Sequence, residues 1–141
     1  MQTRFDSRLD QAWWILRIGL GLAAFLAGLD KFFNILTDWT RYLSPTAVKL
    51  LPFSATAFMH IVGIIEMIVG IAILTRATRW AAYVAAVWLA LIAVNLVITG
   101  TYFDVAVRDV EMALAAFVLA RLTEVRQESL QAAPSGLRQA A

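Results

Sequence analysis

The hydrophobic pattern divides the chain into four long apolar segments separated by short polar stretches. The first runs from Trp13 to Leu36 and holds the stretch LRIGLGLAAFLAGLDKFF between Leu16 and Phe33. Apolar residues surround it on all sides, which places a helix in lipid or in a large core rather than on a surface. About 24 residues at 1.5 Å each give roughly 36 Å, enough to cross a bilayer with some tilt. The second segment spans Ala55 to Thr75, the third Trp80 to Thr99, and the fourth starts near Asp104 and ends at Leu122. The turn Arg76–Ala77–Thr78–Arg79 is so short that the helices on either side must be antiparallel.

The stretch Thr37 to Ser54 breaks this pattern with two prolines and mixed polarity. Ser44 followed by Pro45 reads as an N-cap and a first helical residue, and Pro52 as a stop. A short helix lying along the membrane interface between helices 1 and 2 is expected over Pro45–Leu51. Trp13, Trp14, Trp39, Tyr42 and Phe53 suit an interfacial aromatic belt. The domain reading is a polar arm over residues 1–12, a four-span domain over 13–122 with spans 13–36, 55–75, 80–99 and 104–122, and a flexible tail over 123–141.

Composition sharpens the assignment. Hydrophobic residues make up 61% of the 141 and charged residues only 16%, with a mean hydropathy of +0.73. Soluble domains are about one quarter charged, so a soluble helical bundle is disfavoured. The net charge of +2 does not point to nucleic acid, because the basic residues sit at helix ends and form no stripe. They do set orientation. Arg4, Arg8, Arg76, Arg79, Arg121, Arg126 and Arg138 fall on the side of the termini, and Arg41 and Lys49 on the other. Both termini are therefore expected in the cytoplasm, in a multi-pass protein of the inner (cytoplasmic) membrane. With no cysteine and one histidine, the chain has no thiolate site, iron–sulfur ligation or bis-histidine haem of its own, and no metal site is expected.

Charges inside apolar helices are costly and need partners. On helix 1, Arg17, Gly21, Ala24, Gly28 and Lys31 share a stripe; on helix 2, Gly63, Glu66 and Gly70; on helix 4, Asp109, Ala113, Ala116 and Ala120. Small residues beside a charge let helices close on it, so these charges are expected to face the interior. Lys31, His60, Glu66, Asn95, Arg108 and Asp109 all fall in the outer half and form the candidate ligand-binding set. Spacing allows Asp109 to meet Lys31, and Arg108 to meet Asp30 or Glu66; an ionised Glu66 needs Lys31, Arg108 or His60. Arg17 and Asp30 are read as structural charges, with Asp10, Glu124 or a lipid phosphate within reach of Arg17. The plainer reading of the whole set is that its charges only lock the bundle. Lys31, Arg108 and Glu111 could also reach water by snorkelling. Trp88 reads as packing or lipid-facing, and Asn95 as an interhelical hydrogen-bond donor.

These residues resemble the DoxX-like membrane proteins. LRIGLGLAAFLAGLDKF (Leu16–Phe32) is similar to that family's first helix, with an arginine, spaced glycines and the G-x-x-K ending Gly28–Leu29–Asp30–Lys31. GIIEMIVGIAIL (Gly63–Leu74) resembles its second helix, and YFDVAVRDVEMALAA (Tyr102–Ala116) the start of its last. The resemblance implies a small all-α four-helix integral membrane protein. It carries over Arg17, Lys31, Glu66 and Asp109, and it brings in the family's namesake, the small membrane subunit of a quinone-reducing thiosulfate oxidoreductase. The expected function is a small subunit of a respiratory or quinone-linked redox complex. Its partners would be the lipid bilayer and a larger membrane redox complex or a soluble oxidoreductase subunit, and a homo-oligomer is compatible. A quinone is the implied cofactor, and none is expected to be covalently bound. The alternatives are a purely structural assembly subunit and, ranked last, a small-solute or proton transporter.

Overall fold

A computed structural model describes residues 6–132. Its elements in chain order are α1 (Ser7–Asp30), a single 3-10 turn (Trp39–Tyr42), α2 (Pro45–Leu50), α3 (Ala55–Leu74), α4 (Thr78–Thr99) and α5 (Phe103–Ala132). Helices α1, α3 and α4 are each long and apolar enough to cross a membrane. Helix α5 does not share that composition, because Asp104, Arg108, Asp109 and Glu111 crowd its first turns. It nevertheless packs along α4, its most extensive partner, as α1 packs along α3. Smaller interfaces join α3 to α4 and α1 to α5.

The α1–α3 interface is built on glycine. A Cβ added at Gly28 would lie 2.5 Å from the Gly63 carbonyl oxygen, and one at Gly63 would lie 2.6 Å from the Gly28 oxygen. Gly21 and Gly70 repeat the arrangement two turns further in, where a Cβ on Gly70 would meet the Gly21 oxygen at 2.7 Å. The two pairs share one antiparallel register, and side chains at these positions would push the helices apart. The α4–α5 side relies on alanine instead. Ala81, Ala82 and Ala85 of α4 meet Ala116, Leu119 and Ala120 of α5 in a core completed by Trp13, Leu20 and Ile73.

Three boundaries differ from the sequence expectation. Helix α1 stops at Asp30 rather than Leu36. The Asp30 carboxylate accepts the backbone N–H of Ile35 (3.0 Å) and Leu36 (3.1 Å) and the Trp39 indole N–H (2.8 Å), which folds the chain back over the helix end. Asn34 supplies the left-handed residue in this reversal, at φ 51°. At the other end of the chain, helix α5 continues to Ala132, so the tail expected from residue 123 is helical as far as it is described. Thr123 is buried, accepting the Trp13 indole N–H at 2.7 Å, and Arg126 pairs with Asp10 at 2.7 Å. Those contacts also draw the expected polar arm into α1, which starts at Ser7 behind an Asp6 N-cap. Residues 133–141 of the expected tail and 1–5 of the expected arm lie outside the described residues. The short helix between the first two spans is present, capped by Ser44 Oγ accepting from the Ala47 N–H at 3.1 Å.

The glycine contact predicts opposite outcomes for two substitutions on one helix. Gly28→Ala should destabilise the protein by about 1–3 kcal/mol by overpacking the interface. Gly19→Ala meets nothing within 4 Å and should be neutral or slightly stabilising through helix propensity. Thermal unfolding in mild detergent reads both; equal effects would refute the register.

Candidate functional site

The polar site forms around Lys31, the C-cap residue of α1. Its ammonium donates to Glu66 Oε2 on α3 at 2.5 Å, and both side chains are shielded, at 5% and 12% exposure. Gly28 and Gly63 touch one turn from each partner, which is why the two side chains can meet. Lys31 reaches inward along its own helix, bringing Nζ to 3.4 Å from the Ala27 carbonyl oxygen. Nζ also lies 3.7 Å from the centre of the Trp39 ring, a cation–π contact with the loop that Asp30 folds back. Trp88 of α4 turns its buried Nε1 toward the same carboxylate. Asp109 of α5 is buried close to this group and takes a 3.4 Å contact from neighbouring Arg108. One residue from each long helix therefore converges on the Lys31–Glu66 pair.

The other expected members go elsewhere. His60 stacks on Phe32, with ring centres 4.7 Å apart and planes 11° from parallel, and makes no hydrogen bond. Asn95 does not bridge two long helices: its oxygen accepts the Ser44 N–H at 3.1 Å, and its amide donates to the Tyr42 carbonyl at 2.7 Å. Its polar capacity fastens the loop to α4. Arg108 meets neither Asp30 nor Glu66; it is largely exposed, at 61%, and touches only Asp109. Asp30 acts through the backbone, as described above. Outside the helices, the Asp38 carboxyl is held below its usual range by the Thr40 hydroxyl and the Thr40 amide, which fixes the 3-10 turn.

Arg17 has partners that the sequence did not indicate. Its guanidinium donates to the carbonyls of Ile73 (3.0 Å), Leu74 (2.6 Å) and Thr75 (2.7 Å) at the end of α3. Helix C-termini leave carbonyls without intrahelical partners and carry partial negative charge, so a cation from a neighbouring helix satisfies both. Thr78 completes the cap, donating to Ile73 and Thr75. The carboxylates once open to Arg17 are committed elsewhere: Asp10 to Arg126, and Glu124 to Arg79 and Arg121.

Sequence reasoning missed Trp39 and Trp88 as neighbours of the charge pair. Trp39 sits in a loop whose path depends on Asp30, and Trp88 differs in no sequence feature from a lipid-facing tryptophan. The buried pair makes a direct prediction. Lys31→Ala should cost about 3–5 kcal/mol by leaving Glu66 unpaired, whereas Lys31→Met combined with Glu66→Leu should recover most of that loss. Chemical denaturation in detergent compares the two, and a double variant no better than the single would show that Lys31 acts by other means.

No curated protein and no solved structure is significantly similar to the chain. The sequence model of one family, DoxX, matches residues 12–99. That region takes in most of α1, the whole of α2, α3 and α4, and both partners of the Lys31–Glu66 pair, while Arg108, Asp109 and the rest of α5 lie beyond it. With well over half of its 141 residues matched and its apolar helices arranged on the glycine and charge pattern described here, this multi-pass membrane chain belongs to the DoxX family.

Proposed function

We propose that the chain is a small subunit of a quinone-linked redox complex in the inner membrane, crossing it four times with both termini in the cytoplasm. The pairing of α5 with α4 and the arginines near both termini support that topology. The observation that carries the functional reading is the buried Lys31–Glu66 pair with Trp39, Trp88 and Asp109 around it. In an apolar setting such a pair holds an exchangeable proton: ammonium and carboxylate, or amine and carboxylic acid, carry the same net charge. Trp88 adds a buried donor beside Glu66, and its side chain lines an open apolar groove of about 330 Å³ with Tyr83, Val84, Val87 and Leu91. A carbonyl-bearing ring suits that combination of an apolar wall and a few placed donors. A quinone would supply the electron and proton acceptor, and the electrons would come from a partner subunit. Trp88 and the Lys31–Glu66 pair would orient the ring and hold the proton.

A structural role is the second reading, favoured by the extent of internal pairing. Lys31 has Glu66, Asp30 has the loop backbone, Asn95 has Tyr42 and Ser44, and Arg17 has the end of α3. Gentle purification followed by mass spectrometry of extracted lipids and co-purifying polypeptides separates the two. The redox reading expects a near-stoichiometric quinone and an oxidoreductase partner. Trp88→Phe should lower quinone occupancy about five- to tenfold, the worth of one hydrogen bond, and Lys31→Met combined with Glu66→Leu, which keeps the fold, should lower it further. Partners retained with no quinone at all would favour the structural role.

A further inference from the structure

At the opposite end of the bundle, a cavity of about 320 Å³ opens between the start of α1, the α3–α4 turn and the far part of α5. Its wall includes Trp13, Arg17, Thr75, Arg76, Arg126 and Gln127. Three arginines face one small space, and the balance of charge around them is positive. Arg17 is bonded to carbonyls and to no carboxylate. Arg76 is exposed and has no acidic partner among the described residues. Arg126 alone has one, Asp10 at 2.7 Å.

The guanidiniums are held in place. Arg17 and Arg126 lie over the Trp13 ring, 4.8 and 4.2 Å from its centre, and the Trp13 indole N–H is fixed by Thr123 at 2.7 Å. Asp10 balances one of these arginines, so a net positive charge from Arg17 and Arg76 is left at the cavity for an anion to balance. Arg17 also lies 5.0 Å from the ring of Trp14, a partly exposed aromatic of the kind that marks a membrane interface. The cavity therefore lies at the end of the bundle where an interfacial tryptophan and several arginines come together.

We infer that this cavity binds the phosphate of an anionic phospholipid from the leaflet on the side of the chain termini. Arg76 and Arg126 hold the phosphate, and the Trp13–Arg17 platform forms the floor. Arg17 is a positioning residue here, since its hydrogen bonds go to α3. The inference rests on the membrane placement above and not on the quinone, whose groove shares no residue with this cavity.

The test is native mass spectrometry and thermal shift of the full chain in detergent, with phosphatidylglycerol, phosphatidylcholine and inorganic phosphate added separately. Wild-type protein should retain one phosphatidylglycerol in preference to phosphatidylcholine. Arg76→Gln and Arg126→Gln should each weaken retention about fivefold and together about thirtyfold, the usual effect of an arginine at a lipid surface. Arg121→Gln, a change at the same end outside the cavity, should leave retention unchanged. Arg76→Lys with Arg126→Lys should restore much of the binding, which separates loss of charge from loss of fold. Equal retention of the two lipids, or a double glutamine variant that binds as wild type, would overturn the inference. Inorganic phosphate stabilising the protein as strongly as the lipid would overturn it in favour of a free-phosphate site. Loss of the quinone with phosphatidylglycerol retained would leave this site standing.

Discussion

Backbone contact between α1 and α3 is the constraint from which the rest of the molecule follows. Two helices approach this closely only where neither carries a Cβ at the crossing, and Gly21, Gly28, Gly63 and Gly70 supply such positions in matched pairs. The register those pairs impose places Arg17 opposite the last carbonyls of α3 and Lys31 within reach of Glu66. A slip of one residue would turn the glycines off the interface and send both cations to other neighbours. In lipid there is no general hydrophobic drive to bring helices together, so close packing and hydrogen bonds such as these carry the association.

The two ends of the α1–α3 pair handle charge differently. At one end Arg17 is spent on a helix terminus, meeting three carbonyls that water would otherwise serve. At the other, Lys31 and Glu66 form an ion pair closed off by an aromatic loop residue. A carbonyl cap holds no exchangeable proton and a lysine–carboxylate pair does, which is the property the proposed function draws on. The loop belongs to that chemistry. Asp30, Asn95 and the Ser44 cap together bring Trp39 over the lysine.

Much of this was legible in the sequence, for reasons that can be named. Apolar composition is a local property, so the three apolar spans stand out directly. The glycine–charge stripes were also readable, because helical periodicity puts residues three and four apart on one face. Partners were harder. Arg17 was matched to carboxylates, since side chains are visible in a sequence and the unsatisfied carbonyls of another helix are not. The end of α1 was misplaced because Phe32, Phe33, Ile35 and Leu36 continue the apolar run, while Asp30 captures the backbone that would have extended the helix. The length of α5 was underestimated because its charged last third looks like a solvated tail until Thr123 and Arg126 meet α1.

The sequence alone determined a helical membrane protein of the DoxX family, which helix faces are small, and that Lys31 and Glu66 face the interior. Those properties depend on composition and on the 3.6-residue period, and both are written in one dimension. Only the tertiary structure decided which of the open pairings forms, with Lys31 on Glu66, and that Arg17 closes α3, that Asn95 serves a loop, and that Arg17, Arg76 and Arg126 line one cavity. A stripe fixes which way a side chain points. What it meets depends on the register between helices, which the glycine contacts set across stretches of chain that share no local signal.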